Sequence, residues 1–147
     1  MAEALIRQRM EDMVKSIHEK DIDAVMSFYA PDIISFNFGP PLRYAGADNR
    51  RRAWQELFDT YPGPIACEVR DVNVTTQGEL AFVHSVNQLN VTQAGGRVFH
   101  LGLRWTVCYR RIEGIWLIVH DHVSLPADIE HGQAILNLTP LSSSSLF

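Results

Sequence analysis

Two histidines stand two residues apart in IWLIVHDHVS, residues 115–124, a run apolar enough to be a strand. Strand alternation predicts that Trp116, Ile118, His120, His122 and Ser124 share one side, and that Leu117, Val119, Asp121 and Val123 share the other. The first of these faces grades from Trp and Ile into two imidazoles and a hydroxyl. That is the make-up of a pocket wall with an apolar floor and a polar end. An imidazole with an ordinary pKa of about 6.5 gives or takes a proton near neutrality, so His120 and His122 are the candidate catalytic acid and base. The preceding strand-like run carries Arg104 and Thr106 on one side, where they can sit beside the histidines. Strand histidines also serve structure alone, with ring nitrogens bonded to backbone carbonyls, and that alternative stays open. Nothing at a suitable spacing completes a three- or four-ligand zinc site, so no metal is expected, and no cofactor is implied.

These side chains need elements to hold them. Ile6, Met10, Met13, Val14 and Ile17 recur at three- and four-residue steps and predict a helix over 3–19. Asp21 can cap a second, shorter helix whose Val25, Phe28 and Tyr29 face inward before Pro31 ends it. IISFNF (33–38) alternates as a strand, and GPPLRYAG (39–46) must be a loop because its prolines remove backbone donors. A third helix is predicted over 48–61, with Ala53, Trp54, Leu57, Phe58 and Tyr61 on its apolar stripe. Beyond Pro64, four strand-like runs alternate with QGE, QAGG and EG turn signals, and turns this short demand antiparallel neighbours. The order indicates an α+β domain with helices segregated onto one face of a curved sheet. Tyr29, Trp54 and Phe58 would line its greasy side, and His84 would be a pocket member from a central strand. Residues 1–126 form the expected single domain, with 127–147 a partly ordered extension that ends in the low-complexity LSSSSLF.

Composition narrows the classes. At 147 residues, with 46% apolar and 20% charged residues, the chain is that of one folded domain rather than a disordered segment. A net charge of -4 argues against nucleic acid, and the run Arg50–Arg51–Arg52 reads as a solvated helix face. No uninterrupted hydrophobic stretch signals export or a membrane span, so a cytoplasmic protein is expected, with Cys67 and Cys108 reduced. On that expectation the Asn-x-Thr triplets at Asn73, Asn90 and Asn137 are chance matches.

KDIDAVMSFYAPDIISFN, then Gly46, Asp48, Arg51 and Trp54 in a G-x-D-x-x-R-x-x-W pattern, then RWTVCYRRIEGIWLIVHDHVS resemble the SnoaL-like, ketosteroid isomerase-like branch of the nuclear transport factor 2-like superfamily. The resemblance runs from about Ile6 to Pro126. It implies a cone-shaped, cystatin-like fold, in which a strongly curved antiparallel sheet wraps around N-terminal helices and encloses a deep pocket, and a homodimer formed through the outer sheet surface. Residue by residue, it places Asn37 where the isomerase has its proton-shuttling carboxylate and Met13 where it has its oxyanion-binding tyrosine. A carboxamide does not accept a proton at neutral pH, so steroid isomerisation by that mechanism is not expected. Scytalone dehydratase, in the same superfamily, relies on histidines. By that likeness His120 and His122 act as acid and base, Arg104 holds a carboxylate or enolate, and Asn37 orients a carbonyl.

The resulting expectation is a pocket for a small, partly apolar metabolite bearing a carboxylate or an enolisable carbonyl, with ligand-binding candidates Tyr29, Asn37, Trp54, Phe58, His84, Arg104, Thr106 and Ser124. Its function is acid-base lyase, isomerase or cyclase chemistry. The alternative is a non-catalytic ligand-binding or dimerisation module, and the fold class does not choose between them.

Overall fold

The computed structural model describes residues 1–138, so LSSSSLF lies outside the described residues. Helix α1 (Ala2–His18) buries Ile6, Met10, Met13, Val14 and Ile17, the stripe its spacing predicts. Asp21 caps α2 (Ile22–Met26) by accepting the Ala24 amide at 3.1 Å. This helix is shorter than its apolar spacing suggests. Phe28 lies beyond it, and Tyr29 already begins strand β1 (Tyr29–Phe36). Pro31 explains the early switch, because a proline disfavours helical backbone at the residue before it and drives Ala30 extended.

After a loop and the two-residue strand β2 (Tyr44–Ala45), α3 (Ala47–Thr60) begins at Gly46, whose φ of 88° suits glycine. Four long strands follow: β3 (Ile65–Gln77), β4 (Leu80–Thr92), β5 (Val98–Ile112) and β6 (Ile115–Ser124). Each of the four is antiparallel to the next, as the short turns require. Glu113 and Gly114 close the last hairpin with φ of 50° and 80°, the left-handed pair that a tight two-residue turn needs. The curved six-stranded sheet has the order β2-β1-β6-β5-β4-β3. It is mixed rather than wholly antiparallel, because β1 lies parallel to β6. The sequence places helices between these strands, and the long crossover a parallel pair needs is therefore available.

Three register shifts break the ladders. One lies in β1 between Tyr29 and Ile34, where it meets β6, and one in β3 between Arg70 and Asn73. The third decides the site. Tyr109 pairs with Ile118 and Cys108 with His120, so Val119 is an extra residue in β6 with no partner of its own on β5. One inserted residue exchanges the faces of everything after it. Trp116 and Ile118 are buried before the bulge, and Asp121 is buried after it.

Helix α1 lies across β3, and α3 packs on β1, so both cover the concave face of the sheet. The opposite face carries exposed Leu80, Phe82 and Val98. Beyond Pro126 the chain forms a small hairpin, β7 (Ala127–Asp128) with β8 (Gln133–Ala134), and then meets β5, where Gly102 donates its amide to the Leu136 carbonyl at 3.0 Å. A Cβ at Gly102 would fall 1.8 Å from the Leu138 carbonyl oxygen, so only glycine lets the tail approach this closely. Among the described residues no helix is long and apolar enough to cross a membrane.

Candidate functional site

A cavity of about 250 Å³ lies between α1, α3 and the concave face of the sheet. Met13, Val14 and Ile17 form its α1 wall, and Leu89, Leu103 and Trp105 its sheet wall. Helix α3 contributes Arg50, Trp54 and Leu57, one turn apart on the face turned toward β1. The chain leaving β1 closes one end with Asn37, Phe38, Gly39 and Pro40.

Under this cavity sits a buried polar cluster. Asp121, only 1% exposed, accepts hydrogen bonds from the Ser35 hydroxyl, the Tyr29 hydroxyl (3.4 Å) and Arg50 Nη2 (3.5 Å). Tyr29 in turn accepts Trp54 Nε1 at 3.0 Å. The Arg50 guanidinium, on a residue 4% exposed, lies 5.1 Å from the Trp54 ring and 5.6 Å from the Tyr29 ring. Its Nε is buried with no partner. Burial works to lower the Arg50 pKa, but Tyr29 and Asp121 beside it outweigh burial and hold the group above its ordinary value. Burial raises the Tyr29 hydroxyl, Arg50 opposes the shift, and Asp121 adds to it, so Tyr29 stays a neutral donor.

The bulge corrects the expected geometry of the histidines. His120 is half-buried with Nδ1 2.6 Å from the Ile34 carbonyl oxygen and its ring edge-on to Phe36, the structural arrangement left open above. His122 is exposed on the convex side, in a shallow groove with Phe36 and residues 38–43. Residues 37–40 line both that groove and the cavity and partition one from the other. His84, Arg104 and Thr106 are exposed on the same convex face; His84 pairs across the ladder with Thr106, and Thr106 with His122. Arg104 Nε donates to Ser124 Oγ at 3.0 Å, away from the cavity. Phe58 is core packing 5.8 Å from the Trp54 ring, and it does not line the cavity. Tyr29, Asn37 and Trp54 do line it, as does Met13.

Sequence reasoning missed Arg50, Asp121, Ser35 and Trp105, and Asn87, which lines the cavity from β4. Two of these left a signal. Asp121 is a carboxylate among Leu117, Val119 and Val123, an aliphatic company that an exposed Asp has no reason to keep. Arg50 precedes Trp54 by four and Phe58 by eight, so helical periodicity puts it on the apolar stripe rather than the solvated face. Only Arg51 and Arg52 are exposed, with Arg51 paired to Asp23 and Arg52 bonded to Asn49.

The family model for the SnoaL-like domain matches residues 6–128. The chain belongs to the SnoaL-like family. Its fold is that of the nuclear transport factor 2-like (NTF2-like) proteins. It is similar to an NTF2-like protein of unknown function from Pseudomonas putida KT2440, 30% identical over 95% of this chain and 96% of that one, with a TM-score of 0.86. A ketosteroid isomerase-like protein from Erwinia carotovora atroseptica SCRI1043 is 25% identical over 82% of this chain and 93% of its own, with a TM-score of 0.70. An uncharacterized protein with a cystatin-like fold from Caulobacter vibrioides shares the fold at 16% identity, over 85% and 89% of the two chains, with a TM-score of 0.72. No curated protein matches the sequence.

Within this SnoaL-like cavity Cys67 is no nucleophile at neutral pH. Burial pushes its thiol up to about 12. Among the described residues no group of three or more His, Cys, Asp or Glu side chains is placed to hold a metal ion.

The SnoaL-like chain should weaken in alkali. Cys67 ionises in the unfolded chain around its ordinary 9.0 but in the fold only at about 12, so its stabilising contribution is whole below pH 9 and is lost as pH rises toward 12. Buried Tyr29 and Tyr109, both shifted up, add loss in the same direction above their ordinary 10.0. Urea midpoints measured across pH 7 to 11 should therefore be level at first and fall beyond about 9. Asp121→Ala leaves Arg50 sealed without a counter-charge and should cost about 3–5 kcal/mol by urea denaturation, whereas the double variant Arg50→Met/Asp121→Leu should recover most of that loss.

Proposed function

We propose that the cavity binds a small, partly apolar molecule, and that binding in it is the function on which any chemistry rests. The observation that carries this reading is a half-open, aromatic-walled cavity with a buried guanidinium in its wall whose Nε no described residue satisfies. Buried polar atoms are ordinarily satisfied, and a functional site is a common reason for an exception. Size limits the ligand. A cavity of about 150 Å³ holds a benzene ring, so about 250 Å³ suits a single ring with a short substituent. The likeness to a ketosteroid isomerase-like protein supports a small-molecule site without naming its ligand.

Acid-base turnover is the second reading, and the inward turn of Asp121 favours it over histidine chemistry. His120 and His122 lie across the sheet from the cavity, whereas Tyr29 lines it and donates its hydroxyl to Asp121. A lyase or isomerase built here would pass a proton between ligand and Asp121 through that hydroxyl.

Indole N–H resonances give the test. With a panel of single-ring ketones, amides, acids and alcohols, the signals of Trp54 and Trp105 should shift on binding. Trp116, buried in the core and absent from the cavity wall, should stay put. Ala53→Phe, which fills the cavity from α3, should abolish the shifts, and His122→Ala should leave them unchanged. A panel that moves neither Trp54 nor Trp105, or shifts that survive Ala53→Phe, would sink the reading.

A further inference from the structure

We propose that the site selects an uncharged hydrogen-bond acceptor, such as a ketone, ester or amide carbonyl, and discriminates against carboxylates. The proposal deepens the binding reading above and rests on it. Arg50 lines the cavity as a permanently charged group, and a lone guanidinium there would call for an anionic ligand. It is not alone. Asp121 lies 3.5 Å from Nη2, and all three of its neighbours donate to it: the Ser35 hydroxyl, the Tyr29 hydroxyl and the guanidinium itself. A carboxylate accepts from all three, and the guanidinium is its counter-charge.

The positive charge is thus already matched, and what remains unmet on Arg50 is hydrogen-bonding capacity. Nε is buried without a partner. A ligand carboxylate would bring a second anion into a space holding one cation, beside a residue only 1% exposed that water cannot screen. A carbonyl oxygen accepts the free Nε–H and adds no charge. A hydrocarbon adds no charge either but leaves that N–H unmet, and so binds less well than the carbonyl. The other ionisable groups at the cavity do not alter this balance. Glu56 lies at the exposed rim and offers no attraction to an anion, the Cys67 thiol and Tyr29 hydroxyl are held neutral by burial, and the remaining two, Tyr44 and Tyr61, are phenols. Asp121 is therefore a specificity-determining residue that acts through Arg50, without standing in the cavity wall itself.

The test compares three single-ring probes, acetophenone, benzoate and ethylbenzene, by titration of the Trp54 and Trp105 indole signals of the full chain at pH 7.5. Acetophenone should bind at least about tenfold more tightly than benzoate, and more tightly than ethylbenzene. Asp121→Asn, which removes the counter-charge and keeps the shape, should reverse the order of acetophenone and benzoate. Should that variant fail to fold, the wild-type ratio still decides. Benzoate binding as tightly as acetophenone in the wild type would overturn the selectivity while leaving the cavity reading intact, because a probe would have bound. No shift with any of the three would remove the binding reading and this inference with it.

Discussion

Arg50 and Asp121 are taken out of water together, one from a helix and the other from a strand, and neither could be buried at this depth without its partner. This pair links α3 to β6 across the concave side of the sheet. Ser35 and Tyr29 tie β1 into the same cluster, so three elements far apart in sequence are fixed by one carboxylate. The cavity lies directly above, and its polar end is the guanidinium that this carboxylate holds in place.

The pair exists because β6 carries one residue too many. Without Val119 as an unpaired insertion, Asp121 would share the outward face with the solvent-side residues, and the imidazoles would turn inward in its stead. The bulge therefore assigns the two sides of β6 their work. On the concave side, Asp121 and Val123 serve the cluster and the cavity. On the convex side, His120 bonds to the β1 backbone, and His122 joins an exposed row with Thr106 and His84.

Much of the architecture was legible in the residues. The α1 stripe, the capped α2 and the antiparallel meander rest on local periodicity and turn chemistry, which packing did not override. The parallel pairing of β1 was not legible, since alternation along a strand says nothing about the direction of its neighbour. The face of the histidines was misread for a similar reason. Alternation assumes an unbroken ladder, and Val119, an ordinary strand residue, gives no local sign that it interrupts one. Arg50 was misread because a run of three arginines looks like a surface feature, although helical spacing from Trp54 and Phe58 already set one of the three apart.

Thiol accessibility along β6 tests the central geometric claim most directly. In a background with Cys67→Ala and Cys108→Ser, the variants His122→Cys and Val123→Cys differ by one position and should lie on opposite sides of the sheet. The thiol at 122 should react with a water-soluble maleimide at the rate of an exposed cysteine, and the thiol at 123 at least about tenfold more slowly. Faster labelling at 123 than at 122 would mean that β6 runs without the bulge, and the cavity, the buried pair and the selectivity argued from them would be wrong together.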